Sequence, residues 1–403
     1  MISKLFKNTY FFLVLTLFFC LISCGQSKAS KSDSFSHLEI LTGAQQTSLY
    51  LKHLQNKNVA IVANQTSVIS KKEGKYIHLI DSLLKMNIQI KKVFSPEHGF
   101  RGKADAGELV KDGVDSRTGL PIISLHGKNK KPTRDQLQGI DVIIFDIQDV
   151  GVRFYTYIST LHYVMEACAE AGIPILVFDR PNPNGHYVDG PTLKMEHKSF
   201  VGMHPIPLVY GMTIGEYAQM INGEGWLKNK ITCDITIIPL KNYNHDSEYS
   251  LSIRPSPNLP NDKAINLYPS LGLFEGTTIN AGRGTENQFQ QYGTPFFPKS
   301  DFTYTPQPNF GSKSPKHKGL LCNGVNLKST PKLSSVNFEW LIDAYNKTPD
   351  TIQFFGPTFT VHAGSPELEK QIKSGLSAKE IRDTWQSKVD AFKKIRKKYL
   401  IYD

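Results

Sequence analysis

Short apolar runs alternate with helical patterns between about residues 38 and 210. Residues 76–86 and 157–171 carry apolar side chains at helical spacing, and Gly172 supplies a helix stop after the second segment. The apolar runs are typical of buried strands and cover residues 59–63, 90–94, 122–125, 142–145 and 175–178. Continuous apolar strands separated by helices predict an α/β fold, in which helices cover both faces of a parallel sheet.

The chain after residue 210 follows a more mixed pattern. Thr213 and Glu216 have the spacing of a capping box, which predicts the start of a helix. Ser377 and Glu380 repeat this spacing before a terminal helix that places Trp385 inward. The chain has 403 residues, and about 380 remain if residues 1–24 are removed as a signal peptide. This length is sufficient for two domains. The predicted domains are residues 38–210 and 211–403.

The amino terminus has the pattern of an export signal. Lys4 and Lys7 precede an almost entirely apolar stretch at 10–22, which is too short to span a bilayer comfortably. A small residue followed by Cys24 resembles a bacterial lipobox, in which Cys24 becomes the lipidated first residue. An ordinary secretory signal and an uncleaved anchor are the alternatives. We predict a signal peptide at 1–24 and a flexible tether at 25–37, with the protein lipid-anchored in the cell envelope on the periplasmic face.

The charge balance fits an envelope protein. The full chain carries +11, and loss of Lys4 and Lys7 with the signal leaves 11 − 2 = +9. A basic exported protein suits anionic envelope surfaces or substrates. We expect no nucleic-acid partner, because no compact basic motif is present. The sequence gives no indication of an oligomeric state.

Polar loops follow four of the predicted strands. The carboxyl ends of parallel strands meet along one edge of a sheet, where ligands bind. We therefore expect the loops to converge on one cleft, although carboxylates and amides also cap helices and turns. The loops are residues 64–67, 95–102, 146–153 and 179–185.

Several kinds of chemistry lack their sequence patterns. No glycine fingerprint for a nucleotide follows the first strand, and no Gly-x-Ser-x-Gly elbow is present. The histidines and the later cysteines have no paired metal-ligand spacing. We therefore expect neither a cofactor nor a metal ion.

Carboxylates remain as the candidates for catalysis. Glycoside hydrolysis needs a protonated acid at the leaving oxygen and a second group as nucleophile or base. We predict Glu97 as the acid, because burial in its tight loop would raise its pKa and keep it protonated. The predicted catalytic residues are Glu97, His98, Asp146 and Asp149, with Asp179 and Glu286 as further carboxylates.

Four motifs resemble those of one known family. They are Ser95-Pro96-Glu97-His98-Gly99, the segment 145–151, Arg180-Pro181-Asn182-Pro183 and Gly282-Arg283-Gly284-Thr285. They are similar to motifs of the NamZ-type exo-β-N-acetylmuramidases, and the similarity runs from about residue 38 to the end. The resemblance implies a Rossmann-like domain without a nucleotide, a smaller α/β domain, and a cleft between them. It also implies release of N-acetylmuramic acid from the non-reducing end of peptidoglycan fragments, with Glu97 as the strongest catalytic candidate.

Such a substrate suggests roles for the other polar residues. Its lactyl carboxylate suits an Arg fork, and its acetamido carbonyl could itself attack the anomeric carbon in place of an enzyme nucleophile. Each Arg could instead pair with an acid in the scaffold. A non-catalytic muropeptide-binding or sugar-binding lipoprotein is the main alternative, and an amidase or esterase is a weaker one. The predicted substrate-binding residues are Asn64, Gln65, Arg101, Arg153, Tyr157, Asp179, Arg180, Asn182, Arg283 and Glu286.

Overall fold

The computed structural model describes residues 38–71, 74–100 and 112–402. Contacts divide the chain into Met1–Glu39 and Ile40–Asp403, and the elements below belong to the second unit. Cys24, the signal peptide, the tether and Arg101 lie outside the described residues. The strands are β1 (Asn58–Ala63), β2 (Val68–Ser70), β3 (Tyr76–His78), β4 (Gln89–Ser95), β5 (Gly113–Val114), β6 (Pro121–Ser124), β7 (Val142–Asp146), β8 (Ile175–Phe178), β9 (Ile235–Ile238), β10 (Gln291–Thr294), β11 (Thr303–Tyr304) and β12 (Cys322–Asn326). The α-helices are Thr47–Leu54, Leu79–Lys85, Arg134–Leu137, Tyr157–Ala171, Ile214–Gly223, Asp262–Leu271, Glu339–Lys347, Phe359–Ala363, Glu367–Lys373, Ala378–Asp383 and Gln386–Arg396.

A seven-stranded sheet has the order β5–β6–β4–β1–β7–β8–β9. All neighbouring strands pair in parallel except β5, which pairs antiparallel with β6. Every residue of β7 and β8 is buried, because the strands are apolar on both faces. Strands β4 and β6 are added towards one edge of the sheet from β1, and β7, β8 and β9 are added towards the opposite edge. This reversal of strand order between β1 and β7 is that of a Rossmann fold. The predicted α/β fold is confirmed.

The predicted helices are largely confirmed, with two corrections. Tyr157–Ala171 ends at Gly172, which has a φ of 68°. The segment predicted as a helix at 76–86 begins instead as β3, and its helix starts at Leu79 because the His78 ring accepts a bond from the N–H of Ile80. The terminal helix is divided, and buried Trp385 lies between its two parts.

The large sheet extends beyond residue 210, the predicted end of the first domain. Its last strand, β9, pairs with β8. The chain terminus also returns to this sheet, since the hydroxyl of Tyr402 donates to Asp179 at 2.6 Å. A smaller antiparallel sheet of order β10–β12–β11 forms in the later half. Within the described residues, no helix combines the length and apolar character that crossing a bilayer requires.

Candidate active site

The loops at the carboxyl edge of the large sheet bond to one another. The hydroxyl of Ser67 donates to the carbonyl of Asp146, and the N–H of Gln148 donates to Oγ1 of Thr66 at 3.0 Å. The amide of Gln148 donates to the carbonyl of Pro181 at 2.6 Å. These bonds join the loops that follow β1, β7 and β8, so much of the predicted polar edge is scaffold.

Asp146 and Arg180 form a buried ion pair inside this scaffold. Nε of Arg180 donates to Oδ1 of Asp146 at 2.6 Å, and Nη2 donates to Oδ2 at 2.9 Å. Nη2 also donates to the carbonyl of Val68 at 3.2 Å. This geometry assigns Asp146, predicted to be catalytic, and Arg180, predicted to bind substrate, to holding the loops.

Asp179 and Asn182 also bond to neighbouring elements of the protein. Asp179 is fully buried and accepts from the hydroxyls of Thr213 at 2.7 Å and Tyr402 at 2.6 Å. Burial raises the pKa of Asp179 to about 6, although these donors oppose the rise. The amide of Asn182 donates to the carbonyl of Met212 at 2.8 Å. Both side chains attach the later half of the chain to the sheet.

Asp149, the other predicted catalytic aspartate, is buried behind aromatic side chains. It accepts from the hydroxyl of Tyr210 and from the N–H of Gly151 at 2.7 Å. Burial raises the pKa of Asp149 to about 6, against the effect of these donors. Burial raises the pKa of the neighbouring Tyr155 well above its usual value, and the negative charge of Asp149 makes a smaller contribution in the same direction.

Asn64 and Gln65 support the wall of a cavity from behind. The amide of Asn64 donates to the hydroxyl of Tyr157 at 2.9 Å. That hydroxyl donates to the carbonyl of Pro255 at 3.3 Å. The same carbonyl also accepts from the amide of Gln65 at 3.1 Å. Of these predicted binding residues, Tyr157 lines the cavity.

Arg153 is fully buried and serves the backbone. Its guanidinium donates to the carbonyls of Pro191, Ile206 and His362, the last at 2.9 Å. Burial lowers the pKa of Arg153 to about 9. We therefore assign Arg153, predicted to bind substrate, to fixing the loop that carries His362.

A cavity of about 420 Å³ lies at the ends of β4 and β6. This volume is within the range of about 300–1,000 Å³ that is usual for ligand pockets. Its walls come from the loops after these strands, the start of helix Tyr157–Ala171, and segments of the later half. Of the predicted site residues that the structure describes, four line it: Glu97, His98, Tyr157 and Arg283.

Glu97 lies half-buried in a tight turn directly after β4. The N–H of Gly99 donates to the carbonyl of Pro96 at 3.1 Å, and both His98 and Gly99 have left-handed φ values, of 70° and 77°. A non-glycine residue in this region carries a conformational cost that is common at functional sites. The hydroxyl of Thr156 donates to Oε2 of Glu97 at 2.7 Å, which orients the carboxyl group.

A charged cluster forms a second part of the site. Nε of Arg283 donates to Oε1 of Glu275 at 2.9 Å, and both side chains line the cavity. Behind them, Nζ of Lys316 donates to four carbonyls between residues 274 and 279. Burial favours a raised pKa for Glu275, but Arg283 and Lys316 outweigh it and hold the pKa below its usual value. Glu275 is therefore ionised at neutral pH.

His362 is a neutral side chain at the cavity wall. Burial lowers its pKa, and its Nδ1 lies 3.1 Å from the carbonyl of Thr358, so Nδ1 carries the proton. The ring packs edge-on against Phe154 at a centroid distance of 5.4 Å. His126 also lines the cavity, and its Nδ1 has no partner among the described residues. No group of three or more described His, Cys, Asp or Glu residues could hold a metal ion.

An aromatic wall joins the two parts of the site. Tyr268 contacts Phe154, Tyr155 and Phe289 at centroid distances of 5.2, 6.1 and 4.8 Å. The guanidinium of Arg283 lies 5.2 Å from the centroid of Phe289. An apolar wall with a few fixed polar groups is the usual character of a small-ligand site.

The cavity also contains residues that no sequence motif indicated. The most important is Glu275, which is separated from Arg283 by eight positions and belongs to no polar loop after a strand. Others that line the cavity are Thr156, Tyr268, Phe289, Lys130 and Phe200. Glu286, by contrast, is exposed and lies outside the residues that line the cavity.

Two family models match consecutive parts of the chain. The model for the N-terminal part of exo-β-N-acetylmuramidase NamZ matches residues 59–263, and that for the C-terminal part matches residues 266–402. The peptidoglycan β-N-acetylmuramidase NamZ of Bacillus subtilis (strain 168) is 37% identical over 423 residues. That alignment covers 98% of this chain and 100% of the relative.

Two crystal structures of DUF1343 family proteins from Bacteroides fragilis NCTC 9343 have the same fold. The first has a TM-score of 0.83 and 46% identity, and the match covers 91% of this chain and 99% of that protein. The second has a TM-score of 0.77 and 28% identity, with coverage of 90% and 99%. The matches to both halves and the near full-length relative agree: the chain belongs to the exo-β-N-acetylmuramidase NamZ family.

Proposed function

We propose that this protein is an exo-acting glycosidase that releases N-acetylmuramic acid from the non-reducing end of peptidoglycan fragments. The observation that carries the proposal is the position of Glu97, a half-buried carboxyl group oriented by Thr156 inside a cavity lined by aromatic and charged side chains. The activity in the name of the Bacillus subtilis relative supports it. The alternative, a non-catalytic muropeptide-binding or sugar-binding protein, has no need of an oriented acid.

Glu97 is the general acid in this proposal. Because the hydroxyl of Thr156 donates to Oε2, the proton of a neutral Glu97 resides on Oε1. From there it transfers to the leaving glycosidic oxygen as the bond to the anomeric carbon breaks. Such proton transfer contributes roughly 10²–10⁴-fold to a rate.

Arg283 is our candidate for recognition of the lactyl carboxylate. The side chains of Glu275, Arg283 and Lys316 carry −1, +1 and +1, so the cluster has a net charge of +1 and attracts an anion. Arg283 has five N–H donors in a planar fork, and Glu275 orients that fork by accepting from Nε. Glu275 is accordingly a positioning residue.

The acetamido group of the substrate is the nucleophile that this arrangement favours. Glu97 and Glu275 are the carboxylates among the described residues of the cavity, and the negative charge of Glu275 is already stabilised by Arg283. An N-trifluoroacetyl analogue has a weaker carbonyl nucleophile and should react at least tenfold more slowly. A covalent adduct on Glu275 with a 2-fluoro sugar would contradict this route.

A defined tetrasaccharide tests the direction of cleavage. The substrate is MurNAc-GlcNAc-MurNAc-GlcNAc, where MurNAc is N-acetylmuramic acid and GlcNAc is N-acetylglucosamine. We expect release of one MurNAc and accumulation of the trisaccharide GlcNAc-MurNAc-GlcNAc, which is not cut further. Release of GlcNAc from the reducing end, with the non-reducing MurNAc left in place, would contradict action at the non-reducing end. Absence of any cleavage by folded protein would contradict the function itself.

We also propose that the protein is lipid-anchored through Cys24 on the periplasmic face of the envelope, where it takes part in cell-wall turnover. The support is the charged, then apolar, then Ser-Cys pattern of residues 1–24. The wild-type protein should partition with membranes and incorporate labelled fatty acid, and Cys24→Ala should abolish the label. Labelling that persists in Cys24→Ala would refute the assignment.

A further inference from the structure

The loops that follow β4 and β6 lie side by side at one side of the cavity. Ser95 pairs in register with Ser124, and the N–H of Leu125 donates to the carbonyl of Ser95 at 2.7 Å. Glu97 comes two residues after Ser95, and His126 comes two residues after Ser124. The segment that continues from His126 to Lys130 therefore borders the site on the side of Glu97.

Lys130 and Phe200 meet at this border. Nζ of Lys130 lies 4.8 Å from the centroid of the Phe200 ring, and both side chains line the cavity. Phe200 occupies a tight turn closed by two backbone bonds between Ser199 and Gly202, of 2.9 and 3.1 Å. The Phe200 ring also lies nearly parallel to that of Tyr163, with centroids 6.2 Å apart and an interplanar angle of 15°. The half-buried ring is thus fixed in place.

Helix Tyr157–Ala171 gives the order of these groups. Thr156, at its amino end, holds Glu97, and Tyr163 lies seven residues further along the same helix face, about 10 Å away. Phe200 stacks on Tyr163. By a separate series of ring contacts, Tyr155 is connected through Tyr268 and Phe289 to Arg283. The contacts that lead to Phe200 and those that lead to Arg283 therefore diverge from the start of this helix, where Thr156 holds Glu97.

We propose that Phe200 and Lys130 form the subsite for the leaving-group sugar, which is N-acetylglucosamine in this substrate. The inference rests on the proposed function, because a general acid must lie between the sugar it releases and the leaving group. With the lactyl-bearing sugar on the side of Arg283, the leaving sugar occupies the side of Phe200. An aromatic face packs against the C–H face of a pyranose, and the ammonium of Lys130 donates to its hydroxyls.

Binding measurements on inactive protein test this subsite. In full-length Glu97→Gln protein, we expect the added Phe200→Ala change to weaken binding of the disaccharide MurNAc-GlcNAc by roughly tenfold. Binding of free MurNAc should not change. Phe310→Ala is the matched control, because Phe310 is 60% exposed and lies outside the residues that line the cavity. Lys130→Met should also weaken disaccharide binding several-fold and leave the binding of free MurNAc unchanged.

The possible outcomes separate the two proposals. Equal weakening of MurNAc and of the disaccharide would place Phe200 in the wall of the MurNAc subsite and overturn the inference. No change for either sugar would overturn it as well. Hydrolysis of the disaccharide by protein with intact Glu97 is measured in parallel. A lack of hydrolysis would contradict the proposed function, whereas the selective effect of Phe200→Ala would still report on the subsite.

Discussion

The hydroxyl of Thr156 donates a hydrogen bond of 2.7 Å to Oε2 of Glu97 across the carboxyl edge of the sheet. Thr156 immediately precedes helix Tyr157–Ala171, and Glu97 follows β4, so two rigid elements fix the carboxyl group. Preorganisation of this kind is what general acid catalysis requires.

Thr156→Val should lower kcat by roughly 10- to 100-fold with little change in KM, because Glu97 loses the donor that orients it. The loss should be smaller for a dinitrophenyl leaving group, which departs without protonation. Thr160→Val is the matched control, since its hydroxyl makes a weaker bond of 3.4 Å to a backbone carbonyl on the same helix. Equal losses for both leaving groups would contradict the orienting role.

Arg283→Gln should weaken inhibition by free MurNAc by roughly 10- to 100-fold, because hydrogen bonds to a charged group are worth about 1.5–3 kcal/mol. Inhibition by N-acetylglucosamine, which lacks the lactyl carboxylate, should change little. Arg254→Gln serves as the control, as Arg254 is exposed and lies outside the cavity lining. A parallel loss for both sugars would remove the lactyl assignment.

Asp149→Asn should change the pH dependence of the free energy of unfolding and have little effect on catalytic activity. The folded-state pKa of Asp149 is raised to about 6 by burial, whereas an unfolded Asp titrates near about 3.9. The protonated group therefore stabilises the fold below pH of about 4, and this stability is lost as the pH rises through about 6. An amide cannot ionise, so the variant does not lose this stability. Between pH 4 and 7, its free energy of unfolding should therefore rise relative to that of the wild type by on the order of 2–3 kcal/mol.

Denaturant unfolding of both proteins at several pH values measures this difference. A constant gap between wild type and Asp149→Asn from pH 4 to 7 would contradict the burial argument. Retention of most activity by the folded variant is also expected, because Asp149 lies outside the residues that line the cavity.

Lys316→Met should destabilise the protein by roughly 2–5 kcal/mol. The substitution leaves the carbonyls of residues 274, 275, 277 and 279 without the ammonium that they bind, and buried unpaired polar groups are costly. Thermal unfolding measures the effect, with exposed Lys318→Met as the control. A melting temperature equal to that of the wild type would show that the carbonyls find other partners.

The sequence predicted the parallel sheet well because its strands are continuously apolar, and the site at its carboxyl edge follows from topology. The position at a strand end could not by itself separate Glu97 from Asp146, since both lie in polar segments at the carboxyl ends of strands. What distinguishes them is a partner distant in sequence. Arg180 forms an ion pair with Asp146, whereas Thr156 orients Glu97 inside the cavity. Glu275 gave no local signal, because its role arises from packing against Arg283.

Hydrolysis of a chromogenic β-N-acetylmuraminide by wild-type and Glu97→Gln protein tests whether this protein is a muramidase with Glu97 as its general acid. We predict chromophore release by the wild type, at least tenfold slower release from the N-acetylglucosaminide counterpart, and a loss of roughly 10²–10⁴-fold in Glu97→Gln. Release from the muraminide that is unchanged in folded Glu97→Gln, or no release by the folded wild type, would contradict the account.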